Sequence, residues 1–214
     1  IDFYQYIRKI INSNLRNMKK LLLTLLCLPI IVFGQQANQT KIVKNTANIQ
    51  LDDYLNKIPV GKEKLFGFND RDEFMEAEIG NAYEVFTVNT KFFEAENLAI
   101  EDSYITTTNN WRVVILVNNE YRALLTVSKE NNEWQVVKLG AKGLANELND
   151  FSQEHPQLIN SKILRVFQLK ADFIVTSQNI IYPLTSGKKG LLLDNQKDAN
   201  YSIHEILLLI KKYI

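Results

Sequence analysis

Few side chains in this chain have the type and spacing to carry chemistry. Its histidines are His155 and His204, and neither has a second histidine or a cysteine at metal-ligand spacing, so a zinc centre is not expected. His155 precedes Pro156 at a helix end, which predicts a solvated or C-capping role. His204 falls in the first turns of the last helix and reads as a surface histidine. The sequence contains no G-x-S-x-G, H-E-x-x-H, P-loop or G-x-G-x-x-G pattern. Carboxylate pairs such as Asp52 with Asp53, Asp72 with Glu76 and Glu101 with Asp102 read as helix-face and loop charges. Glycosidase-type chemistry needs two carboxylates across a cleft, and spacing along a chain does not establish that.

One cation pattern is partly met. Asp194, Gln196, Asp198, Asn200, Ser202 and Glu205 occupy positions 1, 3, 5, 7, 9 and 12 of a calcium-loop template. Ala199 replaces the glycine of the sharp turn, and the preceding Gly190–Leu193 segment reads as a strand where the template has a helix. The competing reading is a polar turn in which Asn200 or Ser202 caps the last helix. No cofactor is expected.

A stronger constellation comes from strand parity, because a one-residue slip exchanges the two faces of a strand. Trp111, Val113, Ile115 and Val117 alternate with Arg112, Val114, Leu116 and Asn118. Tyr121, Ala123, Leu125 and Val127 alternate with Arg122, Leu124, Thr126 and Ser128. A three-residue loop, Asn118-Asn119-Glu120, puts both apolar sets on one face. A second turn at Asn131-Asn132 adds Trp134 and Val136 to it. The other face then carries Arg112, Arg122, Thr126 and Gln135, mixed with Leu116, Leu124 and Val137. In the later strand region Lys170 and Asp172 oppose Ala171, Phe173 and Val175. Antiparallel sheets commonly leave one face wet. Arg112, Arg122, Thr126, Gln135, Lys170 and Asp172 are therefore the candidate ligand-binding set, as a groove for an anionic ligand or partner. The alternatives are an ordinary solvated sheet face and an internal ion pair between an arginine and Asp172.

The elements that must position these residues follow from periodicity. Leu51, Tyr54, Leu55 and Ile58 predict a short helix stopped by Pro59. Asp70 and Glu73 form a capping-box pattern opening a helix through Phe74, Ala77 and Ile79 to Gly80. Tyr83–Val88 and a segment from Ala99 to Thr106 predict strands. Trp111–Val117, Tyr121–Lys129 and Glu133–Leu139 predict a meander. Lys142–Glu154 predicts a helix with Leu144, Leu148 and Phe151 on one face. Ile163–Thr176 reads as a long strand or a hairpin pair. Ile180–Leu184 and Gly190–Leu193 read as short strands, and Tyr201–Tyr213 as the closing helix. The order predicts an α+β fold, an antiparallel sheet packed on helices, with cystatin-like or NTF2-like layering among the arrangements that fit.

The chain has 214 residues, 46% hydrophobic and 23% charged, which is a core-forming composition. Met18-Lys19-Lys20, the apolar run Leu21–Phe33 and Val32-Phe33-Gly34 before Gln35 follow the order of an export signal. The run is shorter than the roughly 20 residues of a membrane span. Residues 1–17 are read as a mis-annotated leader, 18–34 as the signal peptide, 35–50 as a flexible lead-in and 51–214 as one domain. The expected location is secreted or periplasmic, with no membrane attachment after cleavage. Cys27, the sole cysteine, lies in the signal region, so the exported part is cysteine-free. The net charge of +1 includes Arg8, Lys9, Arg16, Lys19 and Lys20 from the leader and signal, and the remainder has a small acid excess. Nucleic-acid binding is not expected of it.

These readings lead to an exported non-enzymatic binding or interaction module, a small-ligand carrier or a protease-inhibitor-like domain. Its partner is an unspecified small molecule or protein. The alternatives are a secreted hydrolase with an unfamiliar site and a structural envelope protein that dimerises through its last helix.

Overall fold

The computed structural model describes residues 37–95, 101–158, 160–193 and 199–214. The chain divides after Ile42 into two units, and the second, Val43–Ile214, holds the sheet and every site described below. The leader and signal residues lie outside the described residues. No helix among the described residues is long and apolar enough to cross a membrane.

The fold is α+β, with an eight-stranded, mostly antiparallel sheet. Its strands are β1 (Glu78–Val88), β2 (Ile105–Val117), β3 (Glu120–Glu130), β4 (Glu133–Gly140), β5 (Lys162–Val166), β6 (Ala171–Val175), β7 (Ile180–Pro183) and β8 (Tyr201–Ser202). They lie in the order β4-β3-β2-β1-β5-β6-β7-β8, and only β1 with β5 is parallel. The helices are α1 (37–56), α2 (Glu63–Phe66), α3 (Thr90–Glu94), α4 (Lys142–Glu154), α5 (Thr185–Gly190) and α6 (Ile203–Tyr213).

Residues 37–50 are helical, contrary to the flexible lead-in expected of a polar stretch. Val43, Ala47, Leu51 and Leu55 recur every fourth residue and are all buried against Trp111, Val113, Leu125 and Val136. That stripe supplies the stabilisation the polar neighbours do not. On the same sheet face, Ile206, Leu207 and Ile210 of α6 bury against Leu164, Phe173 and Ile181. The apolar run in α6 is therefore mainly core, and only Leu208 is half exposed.

The opposite face has its own cover. Ala145 and Leu148 of α4 are fully buried against Val114, Leu124, Ile163 and Ile174. Of the apolar residues scattered over the mixed face, Leu116 and Leu124 thus have a partner, whereas Val137 stays exposed. α4 spans the residues its periodicity predicts, ends before Pro156, and takes His155 as its C-cap.

The meander forms as expected, but its first turn differs. Val117 pairs with Glu120, so the loop is the two residues Asn118-Asn119 and not three. Both asparagines have positive φ, 52° and 63°, as a tight hairpin requires. The register returns through a bulge: Leu116 faces Tyr121 while Ile115 faces Ala123, leaving Arg122 as the extra residue. Trp111, Val113 and Ile115 therefore share a face with Ala123, Leu125 and Val127 by a different route. The Asn131-Asn132 turn is as predicted, with Glu130 facing Glu133.

Other expectations are corrected. Asp72–Glu76 is only a 3-10 turn, and Ile79 and Gly80 lie in β1. Asp70 accepts from the Asp72 and Glu73 N–H groups, while Glu73 bonds back to Asn69, closing the turn before an α-helix can extend. Ile163–Thr176 is a hairpin, β5 and β6. Gly190–Leu193 is no strand; it ends α5 and its turn. The predicted strand from Ala99 lies partly outside the described residues, and Ser103 and Tyr104 belong to a 3-10 turn before β2.

The outer edge of β4 is guarded. The Val136 N–H donates to Gln50 Oε1 at 3.1 Å, and the Tyr54 hydroxyl donates to the Val136 carbonyl. An open strand edge invites pairing with another chain. The double variant Gln50→Ala, Tyr54→Phe is expected to lose about 1 kcal/mol per bond and to self-associate as concentration rises. Thermal melts and light scattering read both effects. An unchanged melt with monomeric scattering would refute the guarding role.

Candidate functional site

The boundary of α4's footprint decides where the mixed face stays polar. On β2, Val114 lies under α4 and is fully buried, while Arg112, the next residue on that face, is only half-buried. Arg112 lies in register with Tyr83 on one side and Thr126 on the other. Its guanidinium donates to the Thr126 hydroxyl.

Asp172 on β6 anchors the other side. It is buried, and in the β5–β6 hairpin it directly faces Arg165. Arg165 Nη1 donates to both carboxylate oxygens at 2.9 Å. Ser186 of α5 closes the cluster: its hydroxyl donates to Asp172 Oδ2 at 3.3 Å and accepts from the Asp172 N–H at 3.0 Å. The internal arginine–Asp172 pair therefore exists, and Arg165 makes it.

The electrostatics tie the two arginines together. Burial lowers the Arg112 guanidinium below its usual range, the Arg165 charge lowers it further, and Asp172 acts against both. An arginine stays protonated under such pressure. This sheet face thus carries two cations and one carboxylate, the carboxylate paired with Arg165, and Arg112 is partly desolvated. Tyr83, beside Arg112 in register, is no base: burial, reinforced by Tyr121, pushes its phenol upward, so it stays protonated.

The remaining members of the sequence-derived set lie elsewhere. Arg122, displaced by the bulge, pairs with Glu73 at 2.9 Å and Glu120 at 2.6 Å. Gln135 sits on the outermost strand and bonds Glu130. Lys170 is exposed in the β5–β6 turn with φ 51°. Of the six candidates, Arg112 and Thr126 are hydrogen-bonded to each other, and Asp172 is held by Arg165 and Ser186 on the same sheet face, with β1 between the two groups. Arg165 had a signal: a lone charge in Ile163–Val166, seven residues before Asp172, as a hairpin with a four-residue turn demands.

Asp194, Gln196 and Asp198 of the calcium-loop match lie outside the described residues. Its last members are described. Asn200 is exposed, and Glu205 closes a capping box with Ser202 at the start of α6. The Ser202 N–H, first among the causes, holds the Glu205 carboxyl below the usual range, helped by the Ser202 hydroxyl. Ser202 is thus the helix cap. Among the described residues no three His, Cys, Asp or Glu side chains are placed to hold a metal.

His155 is packed between Phe151 and Tyr182, with ring centroids 4.7 and 4.9 Å away. It borders a cleft of about 480 Å³ between α4 and the β7–α5 connection, with Glu147 and Asp150 on its wall. Glu147 is engaged there by the Thr185 N–H at 2.7 Å, so it fastens α5 to α4. In comparisons with known proteins, the chain matches no family model, no curated protein and no solved structure.

Proposed function

We propose that this chain is an exported, non-enzymatic binding module. Its Arg112–Arg165–Asp172 cluster takes a small oxyanion, a phosphate or a carboxylate. The observation that carries this reading is an imbalance of charge on that face: Asp172 is paired with Arg165, and Arg112, hydrogen-bonded only to Thr126, has no carboxylate partner of its own among the described residues. Arginine's planar fork matches oxyanions in bidentate geometry. Thr126 and Ser186 add hydroxyls beside it. The export part of the proposal rests on the charged and apolar order of residues 18–34.

The test is thermal unfolding in phosphate, sulfate and acetate against chloride at matched ionic strength. A bound oxyanion stabilises by about 1.4 kcal/mol at ten times its Kd. Asp172→Asn removes the internal counter-charge. It is expected to cost about 2 kcal/mol in chloride, less than a fully buried pair because Arg165 is partly solvated. It should also respond more strongly to phosphate than the native chain, while Arg112→Gln should respond less. Equal behaviour of phosphate and chloride in all three proteins would rule out the site.

A further inference from the structure

The sheet face opposite this cluster carries a second, smaller concavity of about 190 Å³. Its apolar walls are Phe86 of β1, Ile105 of β2, Leu164 of β5, Val175 of β6 and Ile203 at the start of α6, and Lys162 of β5 and Asn179 of the β6–β7 turn complete the lining. Register explains the grouping. Phe86 faces Leu164, and Lys162 faces Val175, so these side chains stand side by side on one face. Leu164 is fully buried, the other apolar residues are half-buried and Asn179 is exposed, which makes a groove with an apolar floor open to solvent.

Lys162 is the one charged residue of that lining. Its ammonium lies 4.7 Å from the centroid of the Phe86 ring, and no carboxylate pairs with it among the described residues. A cation held over an aromatic face at the rim of an apolar groove complements one ligand chemistry: an apolar body carrying a carboxylate. The volume is below the range for drug-sized ligands and corresponds to about six waters at ~30 Å³ each. We infer that this groove binds small monocarboxylates with a short aliphatic or single-ring body, with Lys162 on the carboxylate and Phe86, Leu164 and Val175 around the apolar part. The inference is independent of the Arg112 cluster.

Titration calorimetry with hexanoate, butyrate and 1-hexanol tests it. Hexanoate is expected to bind saturably, about tenfold tighter than butyrate, since each buried methylene contributes about three- to fourfold. Hexanol should bind more weakly than hexanoate. Lys162→Met, a change at a half-exposed side chain, should lose about tenfold for hexanoate and leave hexanol unchanged. Val175→Phe, filling the groove, should abolish both. Reading the phosphate response in the same Lys162→Met protein separates the two sites: it should persist there. Equal affinity for hexanoate and hexanol, an unchanged hexanoate affinity in Lys162→Met or Val175→Phe, or no binding at millimolar hexanoate would overturn the assignment.

Discussion

Gly67→Ala is expected to destabilise the chain by about 4 kcal/mol and to lower its melting temperature by on the order of 10 °C. Gly67 ends α2 with φ 106° and ψ −4°, a conformation that side-chain-bearing residues rarely adopt. A Cβ there would sit 2.0 Å from the Arg122 carbonyl oxygen and 2.9 Å from its carbon. Those are backbone atoms of the β3 bulge, so no side chain can swing aside. Relief requires β3 to separate from the segment that carries Phe68, which is buried in the core with Leu125. Gly61→Ala isolates the conformational part. Gly61 has φ 79°, but a Cβ added to it would meet nothing within 4 Å, so it should lose only about 1 kcal/mol. Chemical denaturation of both variants measures the difference. Equal losses would mean that the contact with Arg122 is not close in solution.

The same contact explains why part of the candidate site was not legible in the sequence. Alternation alone put Trp111, Val113 and Ile115 with Leu125 and Val127, and this pairing is what the sheet has. A three-residue loop and a two-residue turn followed by a bulge satisfy that alternation equally well. They differ at the start of β3: the first pairs Tyr121 with Val117 and Arg122 with Leu116, whereas the second pairs Tyr121 with Leu116, moving it from the expected Trp111 face to the α4 face, and displaces Arg122 towards Glu73. The bulge also lies against a neighbour far earlier in the chain, Gly67 beside the Arg122 carbonyl, which no local pattern contains. The Asn118-Asn119 pair did carry the turn signal, since both residues accept positive φ.

α1 failed for a different reason. Its core-facing residues are spaced by four and include Ala47, so a polar majority hid a narrow stripe. Local capping at Asp70 and Glu73 was recognised, but capping fixes where a turn starts, not how far it continues. α4 was legible because its signals agree: a broad apolar face and a proline just beyond its end. Its partner surface was not assigned in the sequence: Val114, Leu116 and Leu124 stand among polar neighbours, and alternation does not say which element covers them.

Leu148→Ala tests that two-sided core directly and is expected to cost about 2–5 kcal/mol. Leu148 has no exposed surface and packs in the cluster of Val114, Leu124, Ile163 and Ile174, which come from four different strands. Removing its branched end leaves a cavity bounded by sheet on one side, and a sheet cannot collapse as a loop could. Leu144, on the same helix but only partly buried, should lose less when truncated. Leu124→Ala should be similarly costly alone, and less than additive with Leu148→Ala, because the two truncations open one shared space. The double-mutant cycle is read by denaturant unfolding. Additive losses, or a cost below about 1 kcal/mol for Leu148→Ala, would mean that α4 rests on the sheet without sharing its core. Arg112 would then lack the covered neighbour that partly desolvates it, and the imbalance of charge proposed to attract an anion would be screened by water.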